Sequence, residues 1–320
     1  MARLAAVTGA TGFLGGYIVA GLIAAGWRVR IMVRRIGDHP QLAGLDVETV
    51  LGDLADQGAL DRLIDGADAV VHAAGLIKAR DEATFRAVNA GGTANLVAAL
   101  NACPSPKRLI LVSSMVAREP GLSHYARTKR ESEAALAALR HRDWTVVRPC
   151  AVYGPWDRET LTIFQSASRG IFPMAGGGGG RVALIHASDA ARAVAGLCGH
   201  VGSGEVFELT DLRVDGYGWS EIAGAAEQSV GKRVRKLPLP ALAVRATAAA
   251  NALAARLIGG VPMLTPGKAR EILHADWGSA PDRQPPPGLW QPRIELSQGF
   301  RDTVTWYRDR GWLPKQEYPL

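Results

Sequence analysis

Cysteine is scarce. Cys103, Cys150 and Cys198 are the only three in 320 residues, and no C-x-x-C occurs. An odd, scattered set supplies neither a disulfide framework nor a zinc site and fits a reducing compartment. No metal is therefore expected, and a cytoplasmic location is. Lysine is scarce too, at seven of 37 basic residues, and no Lys/Arg run reaches five. That argues against a basic nucleic-acid arm. No uninterrupted apolar run of 18 residues exists, so no membrane span is expected. The apolar stretch from Phe13 to Ala25 carries glycines at 15, 16 and 21 and is better read as a helix than as a signal peptide. What is present is ordinary for a globular chain: 48% hydrophobic and 21% charged residues, enough for one large domain or two coupled ones. A net charge of +7 favours anionic ligands (phosphates, nucleic acid or an acidic membrane face) without choosing among them.

The first 150 residues alternate between two periods. β-rich runs occur at 4–8, 29–33, 47–51, 69–73, 109–113 and 145–148, with helical patterns at 13–25, 57–64, 82–102 and 124–140 between them. This alternation predicts an α/β fold: a doubly wound, Rossmann-type parallel sheet with helices on both faces. After Pro149 the texture changes. Residues 1–154 are expected to form a dinucleotide-binding domain to which 181–200 return, and 155–320 a smaller α/β substrate lobe. Five consecutive glycines, 176–180, predict a mobile loop beside a ligand, with a plain solvent loop tip as the alternative. A strand at 181–185, a helix at 188–198, a strand at 206–210 and a helix at 220–230 follow. The Ala-rich stretch 239–258, whose only charges are Arg245 and Arg256, reads as a helix that is buried, walls an apolar cleft or lies on a membrane surface. An amphipathic helix is expected over 296–310.

The strongest motif is Thr8-Gly9-Ala10-Thr11-Gly12-Phe13-Leu14-Gly15, between the first strand and the first helix. Missing Cβ atoms let a backbone approach a pyrophosphate, and the helix N-terminus offers free N–H groups. Thr8, Gly9, Thr11, Gly12, Phe13, Leu14 and Gly15 are thus candidate cofactor residues. The second strand ends in Val33-Arg34-Arg35, where an NAD enzyme usually offers a carboxylate. Guanidinium pairs with a 2′-phosphate, so Arg34 and Arg35 favour NADP(H), with NAD(H) the alternative. Asp53, followed by Leu54, stands where an adenine amino group could donate; a helix N-cap is its plain structural alternative.

Tyr125 and Lys129 lie four residues apart, on one face of a predicted helix. Chance gives roughly 0.1 such pairs in a chain with this Tyr and Lys content. A phenol titrates near ~10, and a neighbouring ammonium favours its ionised form, making Tyr125 useful in proton transfer. Ser114, at the end of the fifth strand, is placed to hold a substrate oxygen, with Ser113 as the fallback. Asn89 could order a water chain toward Lys129.

These segments resemble the extended or atypical short-chain dehydrogenases/reductases of the NAD-dependent epimerase/dehydratase superfamily. TGATGFLG (8–15), GDL (52–54), HAAG (72–75), VNAGGTANL (88–96), LVSS (111–114), YARTK (125–129), RPCAVYGP (148–155) and IHASDAA (185–191) carry the likeness over nearly the whole chain. The resemblance implies Ser114, Tyr125 and Lys129 as catalytic residues with Asn89 assisting. It also implies cofactor contacts from Ala73, Ala74 and Gly75, from Pro149 and Val152, and from Tyr125 and Lys129. His186 and Asp189 match a family motif and are read as a structural hydrogen-bonding pair.

The Ser-to-Tyr segment is shorter than in nucleotide-sugar epimerases, and Met115-Val116 lacks the acidic pair of the dehydratases. It resembles the branch related to the reductase-like accessory subunit of respiratory complex I, with its sphingolipid ketone reductases. The C-terminal half resembles hydroxysteroid dehydrogenases. These likenesses imply a reductase acting on a lipophilic ketone. A nucleotide-sugar 4-epimerase and a non-catalytic cofactor-holding subunit or sensor stay open as alternatives. A homodimer and a peripheral contact with the cytoplasmic face of a membrane are compatible with the sequence.

Overall fold

A computed structural model of the chain describes every residue except 1, 38, 203, 259, 261–263 and 316–320. Its elements run β1 (Leu4–Thr8), α1 (Phe13–Ala24), β2 (Arg28–Val33), β3 (Glu48–Leu51), α2 (Gln57–Ile64), β4 (Ala69–His72), α3 (Glu82–Arg86), α4 (Gly92–Ala102), β5 (Arg108–Val112), α5 (His124–Ala135) and β6 (Trp144–Pro149). The later ones are β7 (Ala151–Tyr153), α6 (Leu161–Ser168), β8 (Ile171–Ala175), β9 (Arg181–Val182), β10 (Leu184–His186), α7 (Ala187–Cys198), β11 (Glu205–Leu209), β12 (Tyr217–Gly218), α8 (Trp219–Val230), β13 (Arg235–Leu239), α9 (Ala241–Ile258), α10 (Pro266–Ile272), β14 (Asp276–Trp277) and α11 (Leu296–Asp309). The chain divides into two compact units. The first is Met1–Pro149, Ala190–Leu209 and Arg283–Gln291; the second is Cys150–Asp189, Thr210–Asp282 and Pro292–Leu320.

The first unit holds a seven-stranded, wholly parallel sheet in the order β11-β6-β5-β4-β1-β2-β3. This is the doubly wound arrangement, with its strand order reversing between β1 and β4, and ligands of such sheets bind at the carboxyl ends beside that switch point. The runs LAAVT, AVVH and RLILV are buried at every position, as strands covered on both faces must be. Aliphatic side chains dominate the packing: Leu60, Leu63, Leu96 and Val70 are fully buried.

The second unit packs on aromatic rings. Phe300 lies 5.0 Å from the Tyr153 ring and 4.9 Å from Phe164, both edge-on. Tyr307 stacks on Trp312 at 5.6 Å, and its hydroxyl donates to the Asp157 carbonyl at 2.5 Å. A Cβ at Gly299 would fall 2.2 Å from the Tyr153 hydroxyl, so α11 needs glycine there to approach. Asp189 is buried, and its Oδ2 accepts from the backbone N–H groups of Arg293 and Ile294 at 2.8 and 2.9 Å. It acts as a structural clamp.

Several boundaries differ from the sequence reading. The helix expected over 82–102 is interrupted by a π turn at Ala87–Gly91, and α5 ends at Ala135 before a 3₁₀ turn, Leu136–Ala138, instead of reaching 140. The strand expected at 181–185 is two short pieces, β9 and β10. The helix expected from 239 begins at Ala241, after β13, which pairs in parallel with β8. Within the glycine run, Gly176, Gly177 and Gly178 take φ of +63°, +75° and +90°, a left-handed path that disfavours side chains.

Candidate active site

The turn after β1 is shaped for close backbone approach. Gly9 takes φ +75°, and a Cβ there would fall 2.5 Å from the Ala74 amide nitrogen. A Cβ at Gly15 would fall 2.0 Å from the Gly9 carbonyl oxygen. The Gly12 N–H donates to that carbonyl at 3.0 Å, closing the turn between Thr8 and Leu14. α1 then starts at Phe13 with Gly12 as N-cap, no side-chain cap and no acid in its first turn. Its leading N–H groups form the positive end of the helix dipole, with no carboxylate in the first turn to compete for them. This glycine cradle fits a dinucleotide pyrophosphate. Gly75 extends it: a Cβ there would meet Asn89 Oδ1 at 3.2 Å and Lys129 Nζ at 3.7 Å.

A directed chain of hydrogen bonds lies beneath the cradle. The Ala74 N–H donates to Thr8 Oγ1 at 3.3 Å, and Thr8 Oγ1 lies 2.7 Å from His72 Nδ1. His72 Nε2 lies 3.0 Å from Thr93 Oγ1, which donates to the Asn89 carbonyl at 2.7 Å. One assignment satisfies all four contacts: a neutral imidazole protonated at Nε2 and accepting at Nδ1. Burial and the Lys129 charge hold His72 neutral, with its pKa down to about 3. The chain locks the ends of β1 and β4 to the π turn.

Asn89 sits in that turn, buried. Its Oδ1 accepts from Leu76 N–H at 2.7 Å, while its Nδ2 donates to the Leu76 carbonyl at 3.1 Å and to Thr128 Oγ1 at 3.1 Å. Asn89 therefore ties the HAAG loop to α5, the helix of Tyr125 and Lys129. π turns often mark functional positions because they re-aim a side chain.

Ser123 caps α5, accepting from Ala126 N–H at 2.9 Å. Two residues past that cap, the half-buried Tyr125 ring packs 6.3 Å from Phe85. Lys129 is buried and its Nζ donates to the Val112 carbonyl at 2.7 Å, at the end of β5. Burial pulls its pKa down to about 8, with Glu133 opposing. The two serines after β5 separate cleanly. Ser113 is buried and donates to Glu133 Oε1 at 2.6 Å; Glu133 also receives Arg148 Nη2 at 2.7 Å. Ser114 is half-buried and N-caps the 3₁₀ turn Met115–Arg118 through a 3.4 Å bond from Val116 N–H. Ser114 is the serine left available to a ligand oxygen. Arg148, Arg118 and Arg283 reach the buried Glu208 at 4.0, 3.3 and 3.7 Å around a polar cleft of about 620 Å³.

Arg34 and Arg35 follow β2 and are exposed. Asp53 is exposed and accepts from Ala55 N–H at 2.8 Å, while the helix N-cap is Asp56. Leu54 packs where a Cβ on Gly92 would stand, 2.5 Å from Leu54 Cδ1. Pro149 ends β6 in the first unit, and Val152 lies in β7 of the second. His72, Thr93, Thr128 and Glu133 went unassigned at the sequence level. A histidine closing an all-apolar strand was the one signal for the first of them.

The model of the NAD dependent epimerase/dehydratase family matches residues 5–210. The chain belongs to that family. It is 44% identical over 313 residues to the ceramide reductase of Caulobacter vibrioides, covering 97% of this chain and 96% of that one. It is 36% identical over 172 residues to sterol demethylase protein B of Methylococcus capsulatus, covering 47% of this chain and 52% of that protein. Among solved structures, the dTDP-glucose 4,6-dehydratase DesIV of Streptomyces venezuelae, with NAD and TYD bound, superposes with TM-score 0.74 at 23% identity, covering 98% of this chain and 99% of that one. That likeness shows the doubly wound fold. Family membership makes the chain a nicotinamide-cofactor protein of the epimerase/dehydratase type.

Proposed function

We propose that this protein is a reductase that uses NADPH to convert the ketone of a sphingolipid, an oxidised ceramide or 3-ketosphinganine-like substrate, to an alcohol. The observation that carries this reading is the near-full-length similarity to a ceramide reductase together with the Ser114, Tyr125 and Lys129 set. When bound, the cofactor supplies hydride. Ser114 holds the carbonyl oxygen through its hydroxyl. Tyr125 donates its phenolic proton to that oxygen as negative charge develops there. The buried Lys129 ammonium favours the phenolate left behind, and Asn89 ties the loop after β4 to α5, the helix that carries Lys129. Arg34 and Arg35 supply guanidinium for a 2′-phosphate with no carboxylate beside them in sequence, which supports NADP(H) over NAD(H).

The test follows NADPH oxidation by the purified protein against oxidised ceramide, 3-ketosphinganine, a 3-ketosteroid and UDP-glucose. Oxidation with a sphingoid ketone, and little with NADH, is expected. Interconversion of the sugar nucleotide without net cofactor oxidation would replace this reading with a 4-epimerase. Cofactor binding without turnover of any of the four would leave a non-catalytic subunit.

A further inference from the structure

Between Glu227 and Glu271 the sequence holds eight Lys or Arg and no Asp or Glu. The net charge of the whole chain is +7, so this one stretch contains all of the excess. It belongs entirely to the second unit. Lys232, Arg233, Arg235 and Lys236 are exposed, in the turn after α8 and along β13. Pro240 follows, then α9.

Packing explains only one side of α9. Val244 and Ala248, one turn apart, are buried with Ala269 of α10. Leu242, Ala246, Ala249 and Leu253 repeat at helical spacing on a different side and are exposed, the two leucines at 78% and 59%. Leu237 of β13 and Ile171 of β8, on paired strands, are 40% and 44% exposed. Among the described side chains of α9 the one charge is Arg245. A basic strand thus leads into a helix with an outward apolar stripe.

We propose that the β13–α9 face of the second unit docks on the surface of a membrane rich in anionic lipid. Charge complementarity selects that occupant. Clustered Lys and Arg are drawn to anionic headgroups, and leucines at helical spacing enter the boundary below them. A second copy of the chain at this face would bring one acid-free basic segment against another, which like-charge repulsion opposes. A nucleic acid would use the cations and leave Leu242 and Leu253 without a role. No helix among the described residues is long and apolar enough to cross a membrane, so the contact is with the surface.

The inference does not depend on the reductase reading, because docking requires no turnover. Full-length protein is sedimented with phosphatidylcholine vesicles, with or without phosphatidylglycerol at about 30%, and titrated in parallel with a single-stranded RNA oligonucleotide. Binding to the anionic vesicles alone is expected, weakening at high salt. Combined Lys232→Glu, Arg233→Glu, Arg235→Glu and Lys236→Glu should lower that binding at least tenfold. Combined Leu242→Ser and Leu253→Ser should lower it severalfold and make the residue of binding more salt-sensitive. Thermal melting confirms that both variants fold. Equal binding to neutral vesicles, no binding by the wild type, or anionic-vesicle binding that survives both variants would overturn the proposal. So would binding to RNA and vesicles alike that the leucine changes leave untouched.

Discussion

The cores of the two units are built differently. In the first, contiguous aliphatic runs such as AVVH and RLILV each make one buried strand, and neighbours in the sheet come from repeated strand-helix steps. In the second, Tyr153, Phe164, Phe300 and Tyr307 converge from segments nearly 150 residues apart. A core of local runs is specified piece by piece. A core of scattered rings exists only once the chain has brought them together. The first unit also holds the hydrogen-bonded polar chain through His72 and the buried Lys129, whose desolvated ammonium costs stability that the aliphatic packing must offset.

The largest effect expected is on the cradle. Gly15→Ala puts a Cβ 2.0 Å from the Gly9 carbonyl oxygen, so the turn must deform. Dinucleotide binding, measured by nicotinamide fluorescence, should become undetectable, while the aromatic core of the second unit stays native by near-ultraviolet circular dichroism. Retained binding would show that the turn tolerates a side chain and would weaken the contrast.

Next comes Phe300→Ala, which removes a ring touching both Tyr153 and Phe164. It should destabilise by roughly 3–5 kcal/mol, read by calorimetry. Saturating NADPH, at 100 times its dissociation constant, should contribute about 2.7 kcal/mol. If the units unfold separately, that gain belongs to the first unit's transition and the Phe300→Ala loss to the second's. A single merged transition carrying both shifts would mean that the units unfold as one.

Lys129→Met separates function from stability. Turnover should fall at least ~100-fold, yet the variant should melt higher at neutral pH, because a buried ammonium is replaced by a thioether. The sign follows from linkage. The Lys129 pKa is lowered from 10.5 to about 8 in the folded protein. Between those values the unfolded chain binds more protons, so this group's contribution to stability rises with pH there and is lost as pH falls through about 8. The Cys198 thiol, raised by burial to about 12, works in the opposite direction at high pH. The test is therefore the difference in stability between wild type and Lys129→Met. That difference should be largest below about pH 8 and shrink above it; a difference independent of pH would contradict the burial argument.

The smallest effect is at the surface. Arg34→Ala with Arg35→Ala should raise the KM for NADPH about tenfold, as the loss of an exposed charge-assisted contact does, and leave the KM for NADH nearly unchanged. Equal changes for both cofactors would place the arginines outside the 2′-phosphate contact.

The sheet and the cradle were legible because each is written in consecutive residues: an apolar run, a glycine turn, a helix. Tyr125 and Lys129 were legible for the same reason, being one helical turn apart. Asn89 was singled out for a water chain toward Lys129, and the fold adds contacts that its spacing in the sequence does not show. The Asn89 side chain pins Leu76 and Thr128 directly, a job that depends on three segments meeting. Ser114 was preferred to Ser113 from the sequence, but the engagement of the Ser113 hydroxyl by Glu133 is not visible there, because only folding brings the two together. In the second unit, β8, β13 and α10 escaped notice: β8 and β13 carry prolines and have few buried positions, and α10 is only seven residues long, so no period stands out.

The most direct test of the central claim is Tyr125→Phe, which removes one oxygen and keeps the ring against Phe85. NADPH binding should persist at wild-type affinity while ketone reduction falls by at least ~1,000-fold, the scale of a lost general acid. Wild-type turnover in that variant would contradict the assignment of proton transfer to Tyr125 and, with it, the account of this site.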